Sequence, residues 1–212
     1  KCGSGDVLEA LKIKIDLEPE DIEKAINTNN FGFMFAPNYH SAMRFVGPTR
    51  KKIGKRTIFN MIGPLSSPAL VNKQVVGVFD KNLLNTFAEA LSNLKLNFAW
   101  IVNSEDGMDE ISPYAKTNVV QLKNDKITKI VIDPTELNIN ADNFKNLIGQ
   151  DAKYNSEKII EIFKGKDNDF SKAVCLNAAA GLMVSGKYDD YEKAYNAARD
   201  FIKSGSVHDH LT

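Results

Sequence analysis

Short apolar runs separated by amphipathic stretches organise this chain. Gln74-Val-Val-Gly-Val-Phe79 and Phe98-Ala-Trp-Ile-Val102 predict strands. Between them Leu83, Leu84, Phe87, Ala90, Leu91 and Leu94 recur at helical spacing, which predicts one amphipathic helix over Asn82 to Leu94. Strand, helix and strand form a βαβ unit, so the two strands are expected to be parallel with a right-handed crossover. Phe31-Gly-Phe-Met-Phe-Ala36 reads as a further short buried strand of the same sheet, with a site expected at its carboxyl end. Val119-Val-Gln-Leu122 and Ile127 to Ile132 flank Lys123-Asn-Asp-Lys126, whose central pair suits a hairpin turn, so these strands are expected to be antiparallel.

Helical patterning covers Asp6 to Leu11 and Pro19 to Asn27, where Pro19 suits a first turn and Ile22, Ala25 and Ile26 form a stripe. From His40 onward two short helices are expected, because the residue before Pro48 is pushed away from the α region. Asn143 to Ile148 is weakly helical, Asn155 to Phe163 is amphipathic, and Tyr191 to Ser204 closes the helical series. Ser171 to Ser185 is apolar nearly all round and therefore predicts a buried helix. Asn177 within it needs polar partners, so a structural role in fixing a helix or loop is expected.

Charge narrows the range of functions. Lys plus Arg and Asp plus Glu both number 27, so neither nucleic acid nor an anionic membrane is expected as a partner. A basic cluster, Arg44, Arg50, Lys51, Lys52, Lys55 and Arg56, is the local exception, and for its lysines a solvated helix face is the simplest reading. With 212 residues, 43% of them hydrophobic, the chain can bury a substantial core. Cys2 and Cys175 are its two cysteines, which argues against a disulfide framework and for a reducing compartment.

Two motifs carry the chemistry. Arg56-Thr-Ile-Phe-Asn-Met-Ile-Gly-Pro-Leu-Ser-Ser-Pro-Ala69 closes an apolar run with a Gly63, Pro64 and Pro68 loop. Asp106-Gly-Met-Asp-Glu-Ile-Ser112 places adjacent carboxylates, Asp109 and Glu110, after a glycine, and oxygen ligands of this kind suit a hard cation such as Mg²⁺. Neighbouring side chains on a regular strand point to opposite faces, so both carboxylates reach one metal site only if Gly107 lets the loop curl. Glu105 and Asp106 lie outside the pair and read as solvated acids.

Together the two motifs resemble those of the anthranilate phosphoribosyltransferases of tryptophan biosynthesis, and the resemblance extends from Lys1 to about Gly205. It implies an α/β fold with a mixed, mainly parallel central sheet flanked by helices. Residues 1–36 and 57–212 would form the phosphoribosyltransferase domain, and residues 37–56 a remnant of a small helical domain. It also implies that Asp109 and Glu110 bind Mg²⁺ as cofactor, holding the pyrophosphate of phosphoribosyl pyrophosphate (PRPP). Ser4, in Gly3-Ser4-Gly5-Asp6, matches the family's PRPP-contacting serine, although the family has Ala at the place of Gly5. Ala36-Pro37-Asn-Tyr-His40 through Arg50 resembles the family's aromatic-acid channel, with His40 lining it and the planar Arg50 guanidinium gripping the anthranilate carboxylate. Gly63 and Pro64 keep the shape of a neighbouring loop, while Ser67 stands where many members have Asn.

The implied reaction is attack of the anthranilate amino group on C1 of the ribose with release of pyrophosphate. Catalysis then rests on positioning and charge stabilisation, and no covalent nucleophile is required. The family's Gly-rich pyrophosphate loop and Lys-His-Gly-Asn segment find no counterpart, so little turnover is expected from this polypeptide alone. Phe45, Val46 and Ile53 are expected as an exposed apolar patch. A homodimer is expected for the full-length enzyme, in the cytoplasm. Two other readings are a pyrimidine nucleoside phosphorylase, which would need neither Arg50 nor the acid pair, and a non-catalytic nucleic-acid-binding relative, against which the balanced charge argues.

Overall fold

The computed structural model describes every residue except Lys1, Arg56, Asp142 and Thr212, and for Met43, Arg44, Arg50 and Lys51 it describes the backbone. The chain forms two compact units, Lys1–Ile62 with Gly149–Glu157, and Gly63–Ile148 with Lys158–Thr212. No helix among the described residues is long and apolar enough to cross a membrane.

The first unit is helical: α1 (Ser4–Ala10), α2 (Pro19–Asn29), α3 (Ala36–Tyr39), α4 (Met43–Ile53) and α5 (Phe59–Ile62). Pro19 opens α2 at its first turn and Asn30, at φ 57°, closes it in the left-handed conformation. Residues 31–35 form no strand, contrary to expectation. A strand needs a ladder partner for its N–H and C=O groups, and this unit has none among the described residues. The apolar run packs on a helix instead. A Cβ on Gly32 would lie 2.7 Å from Ile26 Cγ1 and 2.9 Å from Ile22 Cγ2, so the backbone rests on α2.

The pair of helices expected around Gly47-Pro48 is a single helix, α4, with Pro48 inside it. The proline ring restricts the residue before it partly through that residue's Cβ, and Gly47 has none, so one of the obstacles to a continuous helix is absent. Phe45 and Ile53 on α4 are 71% and 50% exposed, as the patch expectation requires, whereas Val46 is half-buried.

The second unit holds the sheet. Its elements are β1 (Lys73–Gly77), α6 (Leu83–Asn93), β2 (Phe98–Ser104), β3 (Thr117–Lys123) and β4 (Lys126–Ile132), followed by α7 (Ala152–Phe163), α8 (Asp169–Ser185), α9 (Tyr191–Lys203) and α10 (Ser206–Leu211). The division between the units falls within α7. Short 3₁₀ turns lie at Gly63–Leu65, Pro134–Leu137 and Phe144–Leu147. The strands run in the order β1-β2-β3-β4.

The α/β class and the mixed sheet hold, but "mainly parallel" does not: β1 and β2 pair in parallel, and β2–β3 and β3–β4 pair antiparallel. The connection through α6 is the crossover that joins the parallel pair. The β3–β4 connection is the two-residue turn Asn124-Asp125, with φ of 49° and 62° as a type I′ hairpin demands.

Central β2 is buried along its whole length. Phe98, Trp100 and Val102 on one face join Val119 and Ile132 in a core with Cys175, Leu176, Ala179 and Ala180 of α8 and Ala194, Tyr195 and Ala198 of α9. Alternation turns Ala99 and Ile101 to the other face, where α6, buried through Leu84, Phe87, Ala88 and Leu91, packs on β2 and β3. Buried Trp100 donates its indole N–H to Gln121 at 2.9 Å and lies 5.6 Å, centroid to centroid, from the Tyr191 ring.

Candidate active site

In the second unit the chain leaves β2 at Ser104 and curls through Glu105 to Ser112. Gly107 adopts φ +92°, a conformation that strains an L side chain, and its N–H bonds Ser104 O at 3.0 Å. Met108 O accepts from Ser104 N–H at 2.9 Å, closing the turn. Asp106 is exposed, as expected of a solvated acid, and it also bonds within the loop. It accepts from the Ser112 hydroxyl at 2.5 Å and from Met108 N–H at 3.2 Å, so the first and last residues of the motif staple each other. Ser112 Oγ in turn accepts from Tyr114 N–H at 3.0 Å, and Ser112 N–H donates to Thr117 Oγ1 at 3.2 Å.

Asp109 and Glu110 follow, and both line a cavity of ≈ 650 Å³ whose remaining wall includes Val75, Gly77, Val102, Phe170, Val174 and Asn177. The curl therefore places both members of the acid pair in the wall of one cavity. Glu110 titrates above the usual carboxylate range, first because surrounding protein limits hydration of its carboxyl, although the residue keeps exposed surface, and second because Asp109 repels its charge. A cation between the two would relieve both effects. Among the described residues no cluster of three or more His, Cys, Asp or Glu side chains converges. Two carboxylates with room beside them fit Mg²⁺, which is commonly held by one or two carboxylates together with substrate phosphates.

Asn177 has the structural role that its sequence position implied, and it acts on this loop. Its Oδ1 accepts from Ile111 N–H and its Nδ2 donates to Ile111 O, each at 3.0 Å, while Nδ2 also reaches Ala173 O at 2.9 Å. Gly77 was not singled out from the sequence. A glycine inside a strand signals close backbone approach, and here an added Cβ would stand 1.6 Å from Asp109 O. A second polar group fixes α8 nearby: buried Asp169 accepts from Asn146 at 2.9 Å and Lys172 at 3.0 Å, with the Tyr114 hydroxyl at 2.8 Å. Against the burial that opposes it, these donors hold the Asp169 carboxyl down at about 2.

Gly63 begins the 3₁₀ turn in the same unit, and its carbonyl accepts from Ser66 N–H at 3.0 Å. Gln74 Nε2 donates to Pro64 O at 2.8 Å and ties this loop to β1. Gly63 is not among the residues lining the acid-loop cavity.

The remaining candidates belong to the first unit. Ser4 is the exposed first residue of α1, behind Gly3, whose N–H donates to Asp6 Oδ2 at 2.8 Å. A Cβ on Gly5 would lie 3.3 Å from the Phe35 ring, so the Ser4 turn sits against the residue preceding Ala36 and Pro37. Ala36 and Pro37 open α3, and half-buried His40 ends it with its N–H on Ala36 O at 2.9 Å. Arg50 lies in α4, but its side chain falls outside the described residues, as does Arg56.

Known proteins resemble this chain in sequence and in fold. Over 211 residues the chain is 74% identical to the anthranilate phosphoribosyltransferase of Pelagibacter ubique, covering 100% of this chain and 64% of that protein. The Saccharomyces cerevisiae anthranilate phosphoribosyltransferase solved in complex with PRPP and Mg superposes with a TM-score of 0.90 at 26% identity, over 99% of this chain and 61% of that one. The same yeast enzyme in complex with 4-fluoroanthranilate gives 0.88 at 27% identity, over 100% and 62%. The chain thus spans less than two thirds of the length of each. The sequence resemblance is borne out, and a family model matching residues 1–208 completes the assignment: the chain belongs to the glycosyl transferase family, as its a/b domain.

Proposed function

We propose that the full-length protein transfers phosphoribose from PRPP to the amino group of anthranilate and releases pyrophosphate. The observation that carries this reading is the Asp109–Glu110 loop, whose two acidic residues line one cavity in a chain 74% identical to an anthranilate phosphoribosyltransferase. Asp109 and Glu110 hold Mg²⁺, which when bound neutralises the charge developing on the departing pyrophosphate. Ser4 contributes its hydroxyl to the phosphoribosyl group. Ala36, Pro37, His40 and Gly63 line the approach of the aromatic acid, and Arg50 grips its carboxylate through two parallel hydrogen bonds. The aromatic amine is already a competent nucleophile, so the protein's task is to align it with C1 and to stabilise the loose transition state. Residues 37–56 belong to a small helical domain, through which the full-length enzyme forms a homodimer, and the enzyme works in the cytoplasm.

The test is consumption of anthranilate by the full-length enzyme, followed by its fluorescence with PRPP and Mg²⁺ supplied. Replacing Asp109 and Glu110 together by Ala is expected to abolish most Mg²⁺-dependent turnover while anthranilate binding persists. Turnover unchanged at limiting Mg²⁺, or phosphorolysis of a pyrimidine nucleoside in place of anthranilate use, overturns the assignment.

A further inference from the structure

The acid loop is tied to the rest of its unit at two points that bracket the carboxylate pair. On one side Asp109 places its carbonyl where a Cβ on Gly77 of β1 would stand, at 1.6 Å, with Asp109 C at 2.7 Å. On the other, Ile111 exchanges both backbone hydrogen bonds with the side-chain amide of Asn177 of α8, at 3.0 Å each. The amide orientation follows from its partners. Turned over, its oxygen would face the carbonyls of Ile111 and Ala173, and its NH₂ would face the Ile111 N–H. Asn177 therefore offers the loop what a neighbouring strand would offer, one donor and one acceptor at fixed spacing. The Asp106–Ser112 staple, by contrast, closes the loop on itself and does not set its place on the sheet.

We infer that Asn177 and Gly77 are positioning residues for the divalent-cation site, one clamping and one seating the segment that carries Asp109 and Glu110. Both line the same cavity as the two carboxylates, and α8 and β1 pack against each other, so clamp and seat form one frame. Gly77 owes its identity to this contact rather than to its own backbone, which is ordinary strand. An alanine there is compatible with β1 and incompatible with the observed position of Asp109. The cation is the one assigned under the proposed function, and the inference rests on that reading.

The experiment compares Asn177→Ala and Gly77→Ala with Asn146→Ala, which removes a structural amide of the same unit from Asp169. Isothermal titration of the purified chain with Mg²⁺, without substrate, is expected to show affinity reduced about tenfold or more in the first two variants and unchanged in the third. Thermal unfolding of all three separates lost stability from lost placement. Amide exchange supplies a metal-free readout: Ile111 N–H is expected to lose protection in Asn177→Ala and to keep it in Asn146→Ala. Parent-like Mg²⁺ affinity in both test variants, or an equal loss in Asn146→Ala, overturns the positioning role. An unchanged Ile111 exchange rate overturns the clamp itself. No Mg²⁺ binding by the parent, whether alone or with pyrophosphate added, and with Ile111 deprotected as expected in Asn177→Ala, sinks the metal assignment while leaving the clamp as geometry.

Discussion

The acid loop and the segment from Phe31 to His40 are both expected to carry substrate-facing residues, yet they are held in different ways. The loop grows out of a fully buried strand and is fixed by backbone bonds to Ser104, by the Asp106–Ser112 staple and by the Asn177 amide. The Phe31–His40 segment has no ladder. It leans on α2 through Gly32 and on α1 through Phe35, and α3 has no buried residue. In the first unit Ile15, Ile22 and Ser156 are the buried side chains among the described residues. On the proposed function, the metal-binding loop thus lies in a well-buried part of the molecule, whereas the segment assigned to the aromatic acid lies on elements with little buried surface of their own.

The sharpest way to break this contrast is through stability. Ile101, at 0% exposed in β2, is expected to cost about 2–5 kcal/mol when replaced by Ala, the range for emptying a packed core site. Phe31, 49% exposed, is expected to cost about 0.5 kcal/mol. Urea unfolding of the two variants measures both, and equal losses would show that the first unit is as firmly packed as the second.

On the binding side, Arg50→Ala in the full-length enzyme is expected to weaken anthranilate use by ~1.5–3 kcal/mol, the range for hydrogen bonds to a charged group, and to affect PRPP use much less. Lys51→Ala is expected to leave both unchanged. Steady-state kinetics with each substrate varied distinguishes these outcomes, and matched small effects would make the basic cluster a solvated face.

A gentler probe is acid. Asp169 is held at about 2 against an ordinary 3.8, so its network stabilises the folded chain above pH 3.8 and ceases to do so as pH falls through 2. A shift of almost two units is worth about 2 kcal/mol. Asp169→Asn is therefore expected to be less stable than the parent at pH 6 and to converge with it near pH 2, read by thermal unfolding at each pH.

Much of the second unit was legible because its patterns are local. The Asn124-Asp125 turn, the α6 stripe and the uniformly apolar α8 each state their conformation within a few residues. Phe31–Phe35 was misread because an apolar run does not reveal whether a ladder partner exists. Pro48 departs from its usual meaning because the glycine before it lacks the Cβ that contributes to ending a helix. At the site, Asp109 and Glu110 were visible as a motif, and Asn177 was visible as an amide in need of partners. Their link joins residues distant along the chain and became apparent only with the fold. Gly77 carried a signal, a glycine amid β-branched residues, whose meaning depends on which backbone approaches it.

Trp100, the single tryptophan of the chain, has its indole buried against Tyr191 and bonded to Gln121 at the centre of the sheet. Its emission is consequently an optical reporter of the second unit's own packing: it shifts to the red when the β2–α9 packing opens. Circular dichroism sums helices from both units. Recording the two signals on one denaturation curve therefore resolves the order in which the units come apart, without introducing a label.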